Sequence, residues 1–195
     1  MSFRDFEFQT ANKSFKIEVC EFARCHERIL AFRKAHQTQD LLRFADEAVY
    51  LSDGVDSRAW HWVVSHAQKV VAVARLSVHH ELTGLPQSAA GQLLPKDTPL
   101  PLGWMGRRLV HPDLRGQGIG SFLVKNRVAF ARELNLASVV GAPSQSGTRS
   151  MSEFISHGFS RVGVGDGTLA EGGWVSGTGE VWLLTLKSQT DLTIH

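Results

Sequence analysis

The chain has little cysteine, almost no tyrosine, no long apolar run and no excess of one charge. Its 195 residues include two cysteines and one tyrosine. Cys20 and Cys25 are too few for a disulfide framework. Set five apart on one expected helix, they would point about 140° away from each other and should not bridge. Two unpaired cysteines, with an N-terminus (MSFRDFEFQT) that carries acidic residues and no continuous apolar core, fit a cytoplasmic protein without a signal peptide. The longest apolar stretch, Val70 to Val78, is broken by Arg75. It falls far short of the ~20 residues of a membrane helix, so no membrane partner is expected. Lys+Arg is 21 and Asp+Glu is 19, a net charge of +2. Nucleic acid needs clustered Lys and Arg to neutralise phosphate, so it is not expected as a ligand. Neither Cys-x-x-Cys nor His-Glu-x-x-His occurs, so the nine histidines are read as hydrogen-bonded or solvent-facing and no metal is expected.

Hydrophobic residues make up 43% and charged residues 21%, enough apolar material for the core of one domain over 1–195. Alternation predicts a strand at 15–19, then a helix from Cys20 to His36 with Phe22, Cys25, Ile29 and Phe32 on one stripe. A weaker helix is expected over Asp40–Val49, followed by turn chemistry at Ser52-Asp53-Gly54. Two β-rich runs, Ala59–His66 and Lys69–His80, flank Ala67-Gln68 and read as a hairpin. Residues 81–101 form a long Pro- and Gly-containing loop. After it come a strand at Leu102–His111, a helix at Gly118–Leu134, a strand at Leu136–Ala142, a helix at Thr148–His157 ended by Gly158, and a strand at Ser160–Val164. A Gly-rich loop at 163–179 precedes a last strand at Glu180–Leu186. The order describes a mixed α/β domain.

The chemistry concentrates between a strand and an amphipathic helix, in Val110-His111-Pro112-Asp113-Leu114-Arg115-Gly116-Gln117-Gly118-Ile119-Gly120. Bare amides at a helix N-terminus, with the helix dipole behind them, form an anion site, and glycines let the backbone approach closely. Ser121 stands where a dinucleotide fingerprint needs its third glycine, and no Lys-Ser/Thr pair follows, so neither common nucleotide loop fits. What remains is Arg-x-x-Gly-x-Gly at Arg115, Gly118 and Gly120. With Val110-x-Pro112 before it and Gly158-Phe159 after the next helix, the chain resembles the GNAT superfamily of acetyl-CoA-dependent N-acetyltransferases, from about residue 15 to 186.

The resemblance implies a single α/β acetyltransferase domain, with a central, mostly antiparallel mixed sheet flanked by helices. It implies acetyl-CoA as acyl donor, held at its pyrophosphate by amides of Gly116, Gln117, Gly118, Ile119 and Gly120 beside Arg115. Leu109 and Val110 would offer backbone groups to the pantetheine arm and acetyl carbonyl. The acceptor would be an amine on a small molecule or peptide, and a homodimer is left open. The family's usual strand glutamate, expected near Trp104 or Met105, is missing. Its usual tyrosine falls on Phe154 and its usual asparagine on Gly147. Base candidates are therefore Glu81, His79, His80, His111 or a water, and acid candidates Ser152, His157 or water. A coenzyme-binding protein without transferase activity is the alternative. Outside the loop, Arg107 and Arg108 should face opposite ways, one in a surface salt bridge and one toward an acidic substrate group. Trp174, alone in the Gly-rich loop, could cover a ligand.

Overall fold

The computed structural model describes residues 4–10, 12–36, 51–85, 91–142, 148–165 and 179–186. Eight strands form one mixed sheet: β1 (Arg4–Gln9), β2 (Ser14–Glu21), β3 (Ala59–His66), β4 (Lys69–His79), β5 (Leu102–Val110), β6 (Ser138–Gly141), β7 (Ser160–Gly165) and β8 (Gly179–Thr185). Their order is β1-β2-β3-β4-β5-β6-β8-β7. The helices whose full length lies among the described residues are α1 (Phe22–Ala35), α2 (Ile119–Glu133) and α3 (Thr148–Ser156). The expected helix at Asp40–Val49, Gly147, Trp174 and most of the Gly-rich loop lie outside the described residues. Among the described residues, no helix is long and apolar enough to cross a membrane.

The chain divides into two compact units, Met1–Ser77 with Gly106–Leu123, and Val78–Met105 with Val124–His195. In the first, β1 to β4 form an antiparallel meander. The expected hairpin is present, with Ala67 and Gln68 both at positive φ as a two-residue turn requires. Strand β1 is unexpected; it pairs Phe6 with Ile17 and Phe8 with Phe15, and both phenylalanines contact Phe122 at the start of α2. The apolar stripe of α1 behaves as its periodicity predicts. Cys25, Ile29 and Phe32 are buried with Cys20, Val63 and Val73.

The start of α1 needs correction. Cys20 belongs to β2 and the helix begins at Phe22. The two thiols are therefore not splayed around one helix; both are buried and free, and Cys25 Sγ donates to Glu21 O at 3.3 Å. The neighbouring Cys25 thiol, together with burial, pushes the Cys20 thiol up.

In the second unit β6 pairs in parallel with the first half of β5 and antiparallel with β8, which pairs antiparallel with β7. Both helix ends in this unit close in the same way. Asn135 and Gly158 take the left-handed conformation, and the following amides reach back five residues, Leu136 to Ala131 and Phe159 to Phe154. The expected terminating role of Gly158 is thus observed, and Leu136 belongs to the helix closure rather than to β6. The described residues of the 81–101 excursion are mostly turns and bends, as expected. Leu85 and Leu94 join Leu102, Trp104, Val140 and Val181 in a buried cluster.

Candidate functional site

Strand β5 delivers the chain into the glycine loop. His111 donates its amide to Val71 O at 2.8 Å, and Pro112–Leu114 then make one 3-10 turn. The His111 ring starts that turn, its Nδ1 accepting the Asp113 amide at 3.3 Å. Gly116 and Gly118 follow with φ of 81° and 83°, the left-handed region that suits glycine. Gly118 O accepts the Phe122 amide at 2.9 Å, so α2 starts there. The amides of Ile119 and Gly120 fall in the first turn, where no carbonyl of the helix can serve them. The loop therefore ends in an oriented donor set at the positive end of a helix dipole. Arg115 is exposed and its Nε donates to Val110 O at 3.2 Å. Gln117 Nε2 reaches Asp113 O at 3.4 Å. Leu109 and Val110, at the end of β5, are half-buried. A Cβ at Gly118 would meet only Phe8, at 4.0 Å, so this glycine is required by its φ rather than by crowding.

Beneath α1 lies a charged cluster that sequence reasoning missed. Pairing sets Cys20, His61 and Arg75 side by side across β2, β3 and β4. Arg33 of α1 grips Asp56 through both guanidinium nitrogens, at 2.6 and 3.2 Å, and donates to Leu51 O at 2.7 Å. Arg75 bridges Asp53 and Asp56, and Arg107 Nη2 donates to Asp53 Oδ2 at 2.9 Å. Asp53 Oδ1 also accepts the amides of Val55 and Asp56. Burial pushes the Asp56 carboxyl up, but Arg33 and Arg75 outweigh it and hold the group well below the usual carboxylate range. Asp53 is lowered in the same balance, by Arg75 and Arg107. His61 is fully buried. Its Nε2 donates to Asp56 O at 3.0 Å, while Nδ1 has no protein partner. Burial, against the pull of Asp56, lowers its pKa to about 4. Of the two arginines expected on this strand, one makes a salt bridge, deeper than the surface position expected for it. Arg107 ends in a largely buried ion pair, and Arg108 Nη1 donates to Gly120 O, in the first turn of α2, at 3.3 Å. Two signals were present in the sequence: Arg75 interrupting an apolar run, and Asp53 and Asp56 at turn spacing.

The family model for the acetyltransferase (GNAT) family matches residues 21–159, most of the chain including the whole loop. The chain belongs to the GNAT acetyltransferase family. Among curated proteins none matches it in sequence. Solved structures share the GNAT fold at low identity. The ribosomal-protein-S5-alanine acetyltransferase from Vibrio fischeri is 14% identical, with TM-score 0.63, over 93% of this chain and 96% of that one. The ribosomal-protein-S18-alanine N-acetyltransferase from Escherichia coli is also 14% identical, with TM-score 0.60, over 93% and 99%. The NatC complex bound to Gag peptide and CoA is 13% identical, with TM-score 0.57, over 88% and 99%.

The residues expected as acid or base candidates fall in both units. His111 lies at the loop, its Nδ1 accepting the Asp113 amide. The second unit holds His79, buried at the end of β4, and the exposed His80 and Glu81 directly after it. It also holds Ser152, exposed on α3, and His157, whose amide closes that helix. Phe154 is a core residue. Its ring packs edge-on to Phe159 at 4.7 Å and lies against Gly141, where any Cβ would collide with it. Among the described residues no group of His, Cys, Asp and Glu is arranged to hold a metal ion.

Proposed function

We propose that this GNAT protein transfers an acetyl or short acyl group from coenzyme A to an amine of a small molecule or peptide. The observation that carries the reading is the paired left-handed glycines, Gly116 and Gly118, leading directly into the first turn of α2 inside the family match. Amides of Gly116 to Gly120 hold the pyrophosphate, and Arg115 adds positive charge beside them. Leu109 and Val110 present backbone groups to the pantetheine arm and the acetyl carbonyl. The amine nitrogen attacks the thioester carbon, the C–S bond breaks, and the amine loses its proton. Oxyanion stabilisation falls to the Val110 N–H. The base is His79, His80, His111, Glu81 or a water. Phe154 cannot supply a proton to the departing thiolate, whose pKa resembles the ~8.5 of a free cysteine, so it leaves unassisted or takes its proton from Ser152, His157 or water. A single acyltransferase domain is the functional unit. Related enzymes with names such as ribosomal-protein-alanine acetyltransferase support a protein or peptide amine among the acceptors.

The test is thiol release from acetyl-CoA with a panel of small amines and short peptides. Turnover of any amine supports the transferase; binding of acetyl-CoA without turnover of any would favour the non-catalytic alternative. Gly118→Val should weaken acetyl-CoA binding by at least about tenfold, ~1.4 kcal/mol, because valine resists a φ of 83°. Calorimetry on the folded variant giving unchanged affinity would remove the loop from the site.

A further inference from the structure

Residue 107 breaks the regularity of β5. Arg107 sits inside the strand at a φ of 52°, a conformation that long side chains enter rarely. Glycine stands next to it at 106, yet the arginine takes the turn. A conformation that the backbone does not favour persists only where its surroundings over-determine it. Here the guanidinium supplies the hold. Its Nη2 donates to Asp53 Oδ2 at 2.9 Å, with the two side chains 13% and 17% exposed. Asp53 is itself immobilised by the amides of Val55 and Asp56 and by Arg75, which also bonds the fully buried Asp56. The arginine is thus tied to a fixed point outside its own strand, two residues before Leu109.

We infer that the Asp53–Arg107 pair is a strut that holds the turn in β5 and so sets the backbone of Leu109 and Val110 against the acyl-pantetheine arm. Both are positioning residues, and the inference rests on the acetyl-CoA reading above. The strut fixes a backbone angle, so its loss and its rescue are separable. Arg107→Ala removes the ion pair and keeps a Cβ that disfavours the turn. Arg107→Gly removes the same ion pair but admits the turn freely. A role in charge balance alone predicts equal behaviour for the two.

The experiment is calorimetric titration of wild type, Arg107→Ala, Arg107→Gly and Asp53→Asn with acetyl-CoA, and with the nucleotide half of the coenzyme alone, which lacks the pantetheine arm. Arg107→Ala and Asp53→Asn should bind acetyl-CoA about fivefold more weakly, with Arg107→Gly within about twofold of wild type. Binding of the nucleotide half should be unchanged in all of them. Thermal unfolding identifies any variant that fails to fold, and the alanine–glycine comparison stands without Asp53→Asn. Equal losses in the alanine and glycine variants, or a loss of nucleotide-half binding, would overturn the strut and leave the coenzyme reading intact. A wild type that binds neither probe would overturn the coenzyme reading and the strut with it.

Discussion

Asp56→Ala should cost about 3–5 kcal/mol of folding stability, a large share of the 5–15 kcal/mol typical of a domain. The Asp56 side chain is fully buried and accepts hydrogen bonds from both Arg33, 3% exposed, and Arg75, 2% exposed. Removing the carboxylate leaves two guanidiniums facing each other without water to solvate them. The loss therefore exceeds the worth of the pair itself. Replacing Arg33 by Met together with Asp56→Leu should recover part of it, because apolar groups of similar volume leave less charge stranded. Urea denaturation gives the answer directly. A change below about 1 kcal/mol for Asp56→Ala would mean that the cluster is more hydrated than its burial indicates.

Stability should also fall as the solution is acidified from neutrality, before any carboxylate protonates. His61 has a folded pKa lowered to about 4, against about 6.5 when exposed. Between those values the unfolded chain binds a proton that the folded chain refuses. The contribution is fully present above pH 6.5 and is lost as pH drops, the loss reaching about 3 kcal/mol by pH 4. Below that, Asp53 and Asp56 add a second loss in the same direction. Their folded pKa values lie under the ordinary carboxylate value, so their contribution is present above it and disappears as pH falls through the folded values. Urea midpoints measured from pH 7.5 to 4 should fall for wild type, with a flatter course for His61→Phe. Parallel curves for the two proteins would show that another group carries the dependence.

The sequence by itself determined the parts of this protein that are local. The stripe Cys25, Ile29 and Phe32, the two-residue hairpin at Ala67-Gln68, the closure of α3 at Gly158 and the glycine loop between β5 and α2 follow from periodicity, turn chemistry and φ restrictions, which act over a few residues. The loop carried the family as well, because Arg115, Gly118 and Gly120 in strand–helix context form a pattern with few other uses. The start of α1 was misread by two residues, since a strand that runs straight into a helix offers no capping side chain to mark the boundary. Only the tertiary structure decided the rest. Arg33, Asp53, Asp56, His61, Arg75 and Arg107 come from a helix, a turn and three strands, and nothing in their spacing shows that five charges share one buried volume. Phe154 became intelligible in the same way, because Gly141, thirteen residues earlier, leaves the space its ring fills. Long-range pairing decides which buried charges meet and which glycine accommodates which ring. Local preference is silent on both, because neither lowers the free energy until distant segments are already in contact.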